Sequence, residues 1–192
     1  MSLIYIIADV ILLSFFIIER LLRQGAESKS MEKTSQDRGS TNLIALAMVV
    51  SSILVFISPA LNYYRSGWTG WPLTVSLAGI LMMVAGLSVR IIAALTLGGY
   101  YTRVLRKTKN HRIISSGIYK YVRNPGYLGV ISLLAGGGIA SGNIFCIFTI
   151  LAIVPISYIY RIGAEEKMML ESFGDEYREY MKKTKRLLPF IY

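Results

Sequence analysis

The sequence contains few of the residues that build disulfide frameworks and metal sites. Cysteine and histidine each occur once among the 192 residues, as Cys146 and His111. A single cysteine cannot form an intrachain disulfide, and one thiol with one imidazole does not make a ligand cluster. Charged residues are also scarce, at 17% of the chain. We therefore predict neither a disulfide framework nor a bound metal.

Long apolar segments take the place of the missing polar residues. Hydrophobic residues make up 54% of the chain. Five blocks are long enough, or nearly so, to cross about 30 Å of hydrocarbon: residues 2–22, 41–64, 72–97, 126–142 and 144–161. A soluble core is the weaker interpretation, because such long helices would then show a polar stripe. We predict an all-α integral membrane protein with five transmembrane helices.

The whole chain, residues 1–192, is interpreted as one membrane domain. Residues 1–98 supply three spans, and residues 99–192 supply a loop, a helical hairpin and a C-terminal helix. The first block is interpreted as a retained span and not as a cleaved signal peptide. No Lys or Arg precedes it, and no small-residue cleavage site follows it.

The distribution of basic residues predicts the orientation of the spans. Lys and Arg number four, one, seven, zero and seven in successive polar segments: 23–38, 63–72, 99–123, 141–143 and 161–192. This alternation follows the positive-inside rule for an outward N-terminus and a cytoplasmic C-terminus. The net charge of +10 is therefore attributed to topology, and no nucleic-acid partner is expected.

Two cytoplasmic segments are unusual for simple connectors. The loop 99–125 is long for a structureless connection, which indicates a function. After the last span, Met169, Phe173, Tyr177 and Tyr180 recur at helical spacing. We predict a C-terminal amphipathic helix that lies against the membrane surface or the bundle.

A first polar cluster lies in GIYKYVRNPGYLG, residues 117–129, where the fourth span begins. The side-chain oxygen of Asn124 is predicted to cap this helix, and Pro125 suits its first position. A well-formed helix start would alone explain these two residues. However, the free N–H groups of a helix start also attract a carboxylate or a phosphate.

Other side chains near this helix start favour a binding site. Arg123 adds a cation beside it, and Tyr119 and Tyr127 add aromatic rings and hydroxyls on either side. His111 lies upstream in the same loop. A lone histidine is usually structural, but these neighbours make His111 a better candidate than most.

A second polar cluster, YRIGAEE, covers residues 160–166 at the end of the fifth span. Arg161 and Glu165 are four residues apart and therefore share a helix face. Taken alone, they would be an ordinary ion pair at the membrane surface.

Topology predicts that the two clusters meet. The short connection between the fourth and fifth spans makes them an antiparallel hairpin. We predict that four glycines permit close packing within this hairpin: Gly136, Gly137, Gly138 and Gly142. The start of the fourth span then lies beside Arg161, Glu165 and Glu166, and one polar pocket results.

The predicted pocket suits a zwitterionic nucleoside amino acid. A protein carboxylate would pair with the cationic amine of such a ligand, and the helix start would bind its carboxylate. Aromatic side chains would lie against its nucleoside base. S-adenosylmethionine has these parts and adds a sulfonium cation. The glycine run GGGIASG lies inside a span, so we interpret it as a packing element and not as a phosphate loop.

Three segments carry a resemblance to a known family. HRIISSGIYKYVRNPGY, RIGAEEKMMLESFGDEY and RLLPFIY resemble the integral-membrane isoprenylcysteine carboxyl methyltransferases, which are related to the phospholipid N-methyltransferases. The family pattern is roughly H-x-L-V-x-x-G-x-Y-x-x-x-R-H-P-x-Y, a helical hairpin, then R-x-x-x-E-E and F-G-x-E-Y. The resemblance covers about residues 95–192; the first three spans match only in general character.

The resemblance implies a methyltransferase that uses S-adenosylmethionine. The residues expected to bind this cofactor are His111, Ile114 through its backbone, Tyr119, Arg123, Asn124, Pro125, Gly126, Tyr127 and Glu165. The residues expected in catalysis are Arg161, at the acceptor, and Glu166. Asn124 stands where many members have histidine, so it can form hydrogen bonds but cannot titrate near neutral pH. Asn124 can replace a family histidine that only binds the cofactor, but it cannot replace one that acts as a base.

Three functions remain open from the sequence. The first is esterification of an isoprenylcysteine-like carboxylate on a lipophilic acceptor that enters from the bilayer, at a site on the cytoplasmic face. The second is N-methylation of a lipid amine such as phosphatidylethanolamine, with Glu166 or Tyr127 as the base. The third is a non-catalytic scaffold or transporter subunit, since Asp9 and Arg90 lie within predicted spans.

Overall fold

The computed structural model describes residues 2–22, 39–98 and 113–188, and this part of the chain is helical throughout its regular structure. In chain order its α-helices are α1 (Ser2–Leu22), α2 (Ser40–Tyr63), α3 (Leu73–Leu97), α4 (Pro125–Ala140), α5 (Ile144–Phe173) and α6 (Asp175–Lys183). A short 3-10 helix, Gly117–Lys120, precedes α4. The all-α prediction is confirmed for these residues.

Three of these helices are long and apolar enough to cross a membrane: α2, α3 and α5. Helix α4 is apolar but has only 16 residues. Helix α1 has 21 residues and carries Asp9, Glu19 and Arg20 among its apolar side chains. Three of the five predicted spans are therefore confirmed as helices long and apolar enough to cross a membrane.

Helix α5 extends well beyond the predicted end of its span. The sequence placed that end at residue 161, but the helix continues to Phe173 and ends at Gly174, whose φ is 52°. Met169 and Phe173, which were assigned to the C-terminal amphipathic helix, therefore belong to α5. Polar residues ended the apolar block but not the helix, because a helix can leave the hydrocarbon with its backbone hydrogen bonds intact.

Helix α6 is amphipathic, as predicted, and packs on the rest of the protein. Tyr177 is buried, whereas Arg178 and Lys182 are exposed and pair with acidic side chains of the same helix. The Tyr180 hydroxyl donates to the carbonyl of Tyr119 at 2.8 Å. This hydrogen bond ties α6 to the 3-10 helix before α4.

Helices α3 and α4 are antiparallel, and their backbones are in direct contact. A Cβ added at Gly136 would lie 2.7 Å from the carbonyl oxygen of Gly79, and one added at Gly129 would lie 2.7 Å from that of Gly86. The glycines are seven residues apart on both helices, so they share one face of each. Small residues permit this close approach, as is common between membrane helices.

The prediction that four glycines pack α4 against α5 is wrong for three of them. Gly136 faces α3, Gly137 lies nearest to Val55 of α2, and Gly142 lies in the turn, beside Trp71. Only Gly138 faces α5. Successive helical residues point about 100° apart, so consecutive glycines cannot all face one neighbour.

One ion pair joins α1 to α3 within the bundle. Arg90 donates from Nη2 to Oε1 of Glu19 at 2.9 Å and from Nε to Oε2 at 3.1 Å. The two side chains are only 15% and 11% exposed. Arg90 is therefore part of an interhelical contact. In the same helix α1, Oδ1 of Asp9 is buried and has no hydrogen-bond partner among the described residues.

Asn143 fixes the turn between α4 and α5. Its side-chain oxygen accepts from the backbone N–H groups of Phe145 and Cys146, which caps α5. Its amide nitrogen donates at 2.8 Å to Asn62 and to the carbonyl of Ser66. The hairpin is therefore held to the end of α2, and this sets where the opposite ends of α4 and α5 lie.

Candidate active site

The start of α4 differs in one detail from the predicted helix cap. Pro125 occupies the first helical position, as expected. The side chain of Asn124 makes no capping hydrogen bond; its amide donates to the carbonyl of Arg186 at 2.9 Å. The backbone carbonyl of Asn124 accepts instead from Tyr127 and Leu128. The cap prediction is therefore wrong, because the side chain is oriented by its amide group toward a main-chain carbonyl distant in sequence.

The chain after α6 runs beside the segment that leads into α4. Val122 and Lys185 form a parallel bridge. The Arg123 N–H donates to the Lys185 carbonyl at 2.8 Å, and the Lys185 N–H donates to the Tyr121 carbonyl at 2.9 Å. These backbone bonds hold the C-terminal segment against the start of α4.

The Arg123 guanidinium strengthens this attachment. Its Nη1 donates to the carbonyls of Met181, at 3.1 Å, and Thr184. Its Nε donates to Oε1 of Glu166 at 3.1 Å, and Arg186 reaches the other oxygen of Glu166 at 2.6 Å. The Glu166 carboxylate is only 8% exposed and lies between two arginines. Arg123 and Glu166 therefore join α5, the start of α4 and the C-terminal segment.

A second network lies beside the first and links α5 to α4. Arg161 donates from Nε to Oε1 of Glu165 at 3.0 Å, which confirms the predicted pairing on one helix face. The Tyr127 hydroxyl donates to the same Glu165 oxygen and lies 3.3 Å from Nε of Arg161. The two polar clusters of the sequence are therefore neighbours in the structure.

The opposite end of the Arg161 side chain reaches α2. Its Nη1 donates to Oγ of Ser40 at 3.1 Å and to Oγ1 of Thr41 at 3.0 Å. Arg161 is 2% exposed as a whole residue, whereas the Glu165 side chain is 25% exposed. The network thus presents a partly accessible carboxylate above a buried cation.

Tyrosines close the site on the side of α6. Tyr119 is buried, and its hydroxyl lies 3.5 Å from the carbonyl of Ala93 in α3. Burial raises the pKa of Tyr119 and of Tyr177, so both phenols stay protonated near neutral pH. These side chains can donate or accept a hydrogen bond, but they do not carry charge.

The remaining predicted residues lie around this region or outside the described residues. Gly126 follows Pro125 in the first turn of α4, and a Cβ added there would lie 2.7 Å from Nη1 of Arg90. Ile114 is half-buried in the segment before the 3-10 helix. His111 lies outside the residues that the structure describes.

Sequence reasoning missed Ser40, Thr41 and Arg186. Ser40 and Thr41 begin α2, and the charge pattern placed this end of α2 on the same side of the membrane as the end of α5. Their polarity at that depth was the available signal. Arg186 gave no signal, because its partners depend on the path of the chain after α6.

These features define a helical membrane protein with a polar site at one end of the bundle. Residues 79–171 match the sequence profile of the isoprenylcysteine carboxyl methyltransferase (ICMT) family. This match runs from α3 to α5, covers just under half of the chain, and confirms the resemblance seen in the sequence. The matched profile is that of a methyltransferase family, and methyl transfer needs a methyl donor.

Named relatives agree with this match. The chain is 32% identical over 119 residues to a probable protein-S-isoprenylcysteine O-methyltransferase of Oryza sativa subsp. indica, covering 61% of this chain and 62% of that protein. It is 32% identical over 118 residues to the human protein-S-isoprenylcysteine O-methyltransferase, covering 60% of this chain and 42% of the human one. The chain thus spans about half the length of such relatives.

A solved structure is also similar. The eukaryotic intramembrane Ras methyltransferase ICMT superposes with a TM-score of 0.62 at 26% identity, covering 84% of this chain and 55% of that one. The similarity therefore extends to residues before 95, where the sequence resemblance was weakest.

Proposed function

We propose that the protein is an S-adenosylmethionine-dependent methyltransferase that esterifies the carboxylate of a lipophilic, isoprenylcysteine-like acceptor. The observation that carries this proposal is the contact of Tyr127, Arg161 and Glu165 at one end of the bundle, within the family-matched region. S-adenosylmethionine, when bound, supplies a methyl group on a sulfonium, which is electrophilic enough for a carboxylate oxygen to attack.

The site has the donor set that such a molecule requires. Glu165 offers a partly exposed carboxylate for a cation, and Arg161 and Tyr127 fix its orientation through Oε1. Tyr119 adds an aromatic wall on the side of α6. We keep the predicted cofactor-binding residues with one refinement. Arg123 and Asn124 use their side chains to hold the C-terminal segment, and so they shape the wall of the site.

Arg161 is the residue we assign to the acceptor. A carboxylate is already ionised at neutral pH, so the reaction needs orientation and not a base. Arg161 is fixed at both ends of its guanidinium and pairs readily with a carboxylate. Its burial keeps water away from the reacting oxygen, where water would compete for the same hydrogen bonds.

The geometry favours an ester over an N-methyl product. An amine acceptor must lose a proton, and the sequence offered Glu166 or Tyr127 as the base. Both oxygens of Glu166 accept from arginines, and the Tyr127 hydroxyl already donates to Glu165. We therefore propose that Glu166 holds the C-terminal segment to α5 and does not transfer a proton.

We further propose five spans, with the N-terminus outside and the site at the cytoplasmic face. The site lies among segments 113–125 and 161–188, near the most basic parts of the chain. Helix α4 runs antiparallel to α3 from the level of Gly79 to that of Arg90, which supports its crossing the bilayer with α3.

Transfer of labelled methyl groups tests the function. Purified protein would receive methyl-labelled S-adenosylmethionine with either N-acetyl-S-farnesylcysteine or phosphatidylethanolamine. We expect base-labile label, a methyl ester, on the first acceptor only. Base-stable label on the lipid amine would overturn the acceptor class. Absence of both transfer and cofactor binding would support a non-catalytic protein.

Two variants separate the roles of the network. Arg161→Ala should reduce turnover far more than cofactor affinity, whereas Glu165→Ala should weaken cofactor affinity measured by calorimetry. Arg178→Ala is the matched control, since Arg178 is 66% exposed. Equal cofactor affinity in the wild type and Glu165→Ala would remove Glu165 from the binding site.

A further inference from the structure

The first two residues of α2 hold the buried arginine of the site from the side opposite to Glu165. Ser40 is 0% exposed, and its hydroxyl lies 3.1 Å from Nη1 of Arg161; the hydroxyl of Thr41 lies 3.0 Å from the same atom. We propose that Ser40 and Thr41 are positioning residues that set the orientation of Arg161 toward the acceptor. This inference rests on the proposed function.

The contacts fix the guanidinium at two separate points. Nε is held by Glu165 and Tyr127, from α5 and α4, and Nη1 is held by α2. A guanidinium is planar, so contacts at both ends leave it a single orientation. Without the contacts to α2, Nη1 would lose two hydroxyl acceptors and the orientation of the plane would be less restricted. The hydroxyls of α2 therefore specify where the rest of the guanidinium points.

The chemistry of the two hydroxyls suits this role. Neutral acceptors orient Arg161 without cancelling its charge, whereas carboxylates at these positions would pair with it and compete with an anionic acceptor. The N-terminus of α2 also contributes positive potential close to Arg161. This arrangement is unfavourable for a cation by itself but attractive for a negatively charged acceptor. Because Ser40 is buried, we expect it to act through Arg161 and not by touching the acceptor.

The test compares hydroxyl deletion with hydroxyl conservation. Ser40→Ala combined with Thr41→Val removes both acceptors with little change in shape. We expect kcat/KM for N-acetyl-S-farnesylcysteine to fall about tenfold or more, as for the loss of hydrogen bonds to a charged group. The Kd for S-adenosylmethionine, measured by calorimetry, should change less than about threefold, because the Nε contacts remain.

Two further variants control for general damage to α2. Thr41→Ser keeps the hydroxyl, so its kcat/KM should lie close to the wild-type value and well above that of the single variant Thr41→Val. Ser52→Ala removes a hydroxyl of the same helix, which donates within that helix to the carbonyl of Met48 at 2.8 Å, and it should match the wild type. A Thr41→Ser enzyme as impaired as Thr41→Val would overturn the role of the hydroxyl.

A double-mutant cycle with Arg161→Ala separates this inference from the proposed function. In that background the α2 substitutions should lower kcat/KM no further; additive losses would overturn positioning and leave the methyltransferase proposal intact. If the wild type transfers no methyl group, the function fails, and the same cycle is measured by thermal unfolding. Non-additive unfolding would still support the hold on Arg161, and additive unfolding would overturn it.

Discussion

Tyr180 shows how a single side chain connects the C-terminal helix to the site. Its hydroxyl donates to the carbonyl of Tyr119, and burial raises its pKa to about 12 despite the nearby charge of Arg123. A phenol in an unfolded chain has a pKa of about 10. The folded state therefore binds the phenolic proton more tightly than the unfolded state does.

This difference predicts a loss of stability at alkaline pH. The stabilisation is fully present below about pH 10 and is lost as the pH rises from about 10 to about 12, because the unfolded state releases the proton first. Thermal unfolding in detergent should show Tyr180→Phe to be less stable than the wild type at pH 8, by about 1 kcal/mol for one hydrogen bond. Between pH 9 and pH 11.5, the variant should lose less stability than the wild type does.

Tyr63→Phe is the control. Because Tyr63 is 82% exposed, this substitution should leave the dependence of stability on pH unchanged. Parallel profiles for the wild type and Tyr180→Phe would show that the Tyr180 phenol does not contribute to the alkaline loss.

Residue-level predictions from the sequence succeeded where the partners were close in the chain. The Arg161–Glu165 pair follows from a spacing of four residues, and Pro125 follows from the preferences of a helix start. The side chain of Asn124 was misassigned because its partner is 62 residues away. Ser40 was missed for the same reason, since 121 residues separate it from Arg161. The roles assigned to these residues in binding and catalysis stay predictions.

At the scale of helices, the contact between α3 and α4 depends on the absence of side chains. A Cβ on Gly86 would lie 2.5 Å from the backbone nitrogen of Leu133 and 2.6 Å from the carbonyl oxygen of Gly129. Backbone atoms in two packed helices cannot move aside as a flexible side chain can. The two helices would have to separate to accept a methyl group.

Gly86→Ala should therefore destabilise the protein by about 1 to 3 kcal/mol, the range for an overpacked core. Gly163→Ala is a matched control in α5, because a Cβ there meets nothing within 4 Å. It should be neutral or stabilising by up to about 1 kcal/mol, as alanine favours helices over glycine. Thermal unfolding of both variants in one detergent makes the comparison. Equal stabilities would show that α3 and α4 are not in backbone contact.

Helix positions were more predictable than helix partners. The predicted blocks 41–64 and 72–97 agree with α2 and α3 to within one residue at each end, because apolar composition marks the hydrocarbon depth directly. The end of α5 was misplaced by 12 residues, from 161 to 173, because leaving the hydrocarbon does not require a helix to stop. Glycine-rich sequence indicated close packing but could not identify which neighbour each glycine faces.

At the scale of the whole molecule, the site exists because chain topology brings two ends together. The short turn at residues 141–143 returns the chain, so the start of α4 lies beside the region of Arg161 in α5. This inference required only the order and length of the helices, which is why the sequence supported it. The C-terminal segment that covers Glu166 did not follow from any such rule.

The number of spans between the two ends of the molecule remains a prediction that can be tested. Helix α4, with 16 residues, is about 24 Å long at about 1.5 Å per residue, somewhat short of about 30 Å of hydrocarbon. If it crosses together with α3 and α5, three spans separate Ser66 from Ser172. An odd number places these two exposed serines on opposite sides of the membrane.

Cysteine labelling measures on which side of the membrane each serine position lies. Because Cys146 is fully buried, the protein without added cysteines serves as the unlabelled control. In intact cells, a membrane-impermeant maleimide should label Ser66→Cys, and it should reach Ser172→Cys only after permeabilisation. Labelling of both from one side would mean that α4 does not cross, since α3 and α5 alone would return the chain to its starting side. Exchanged accessibility would keep the three spans but invert the orientation, and the site would then face outward.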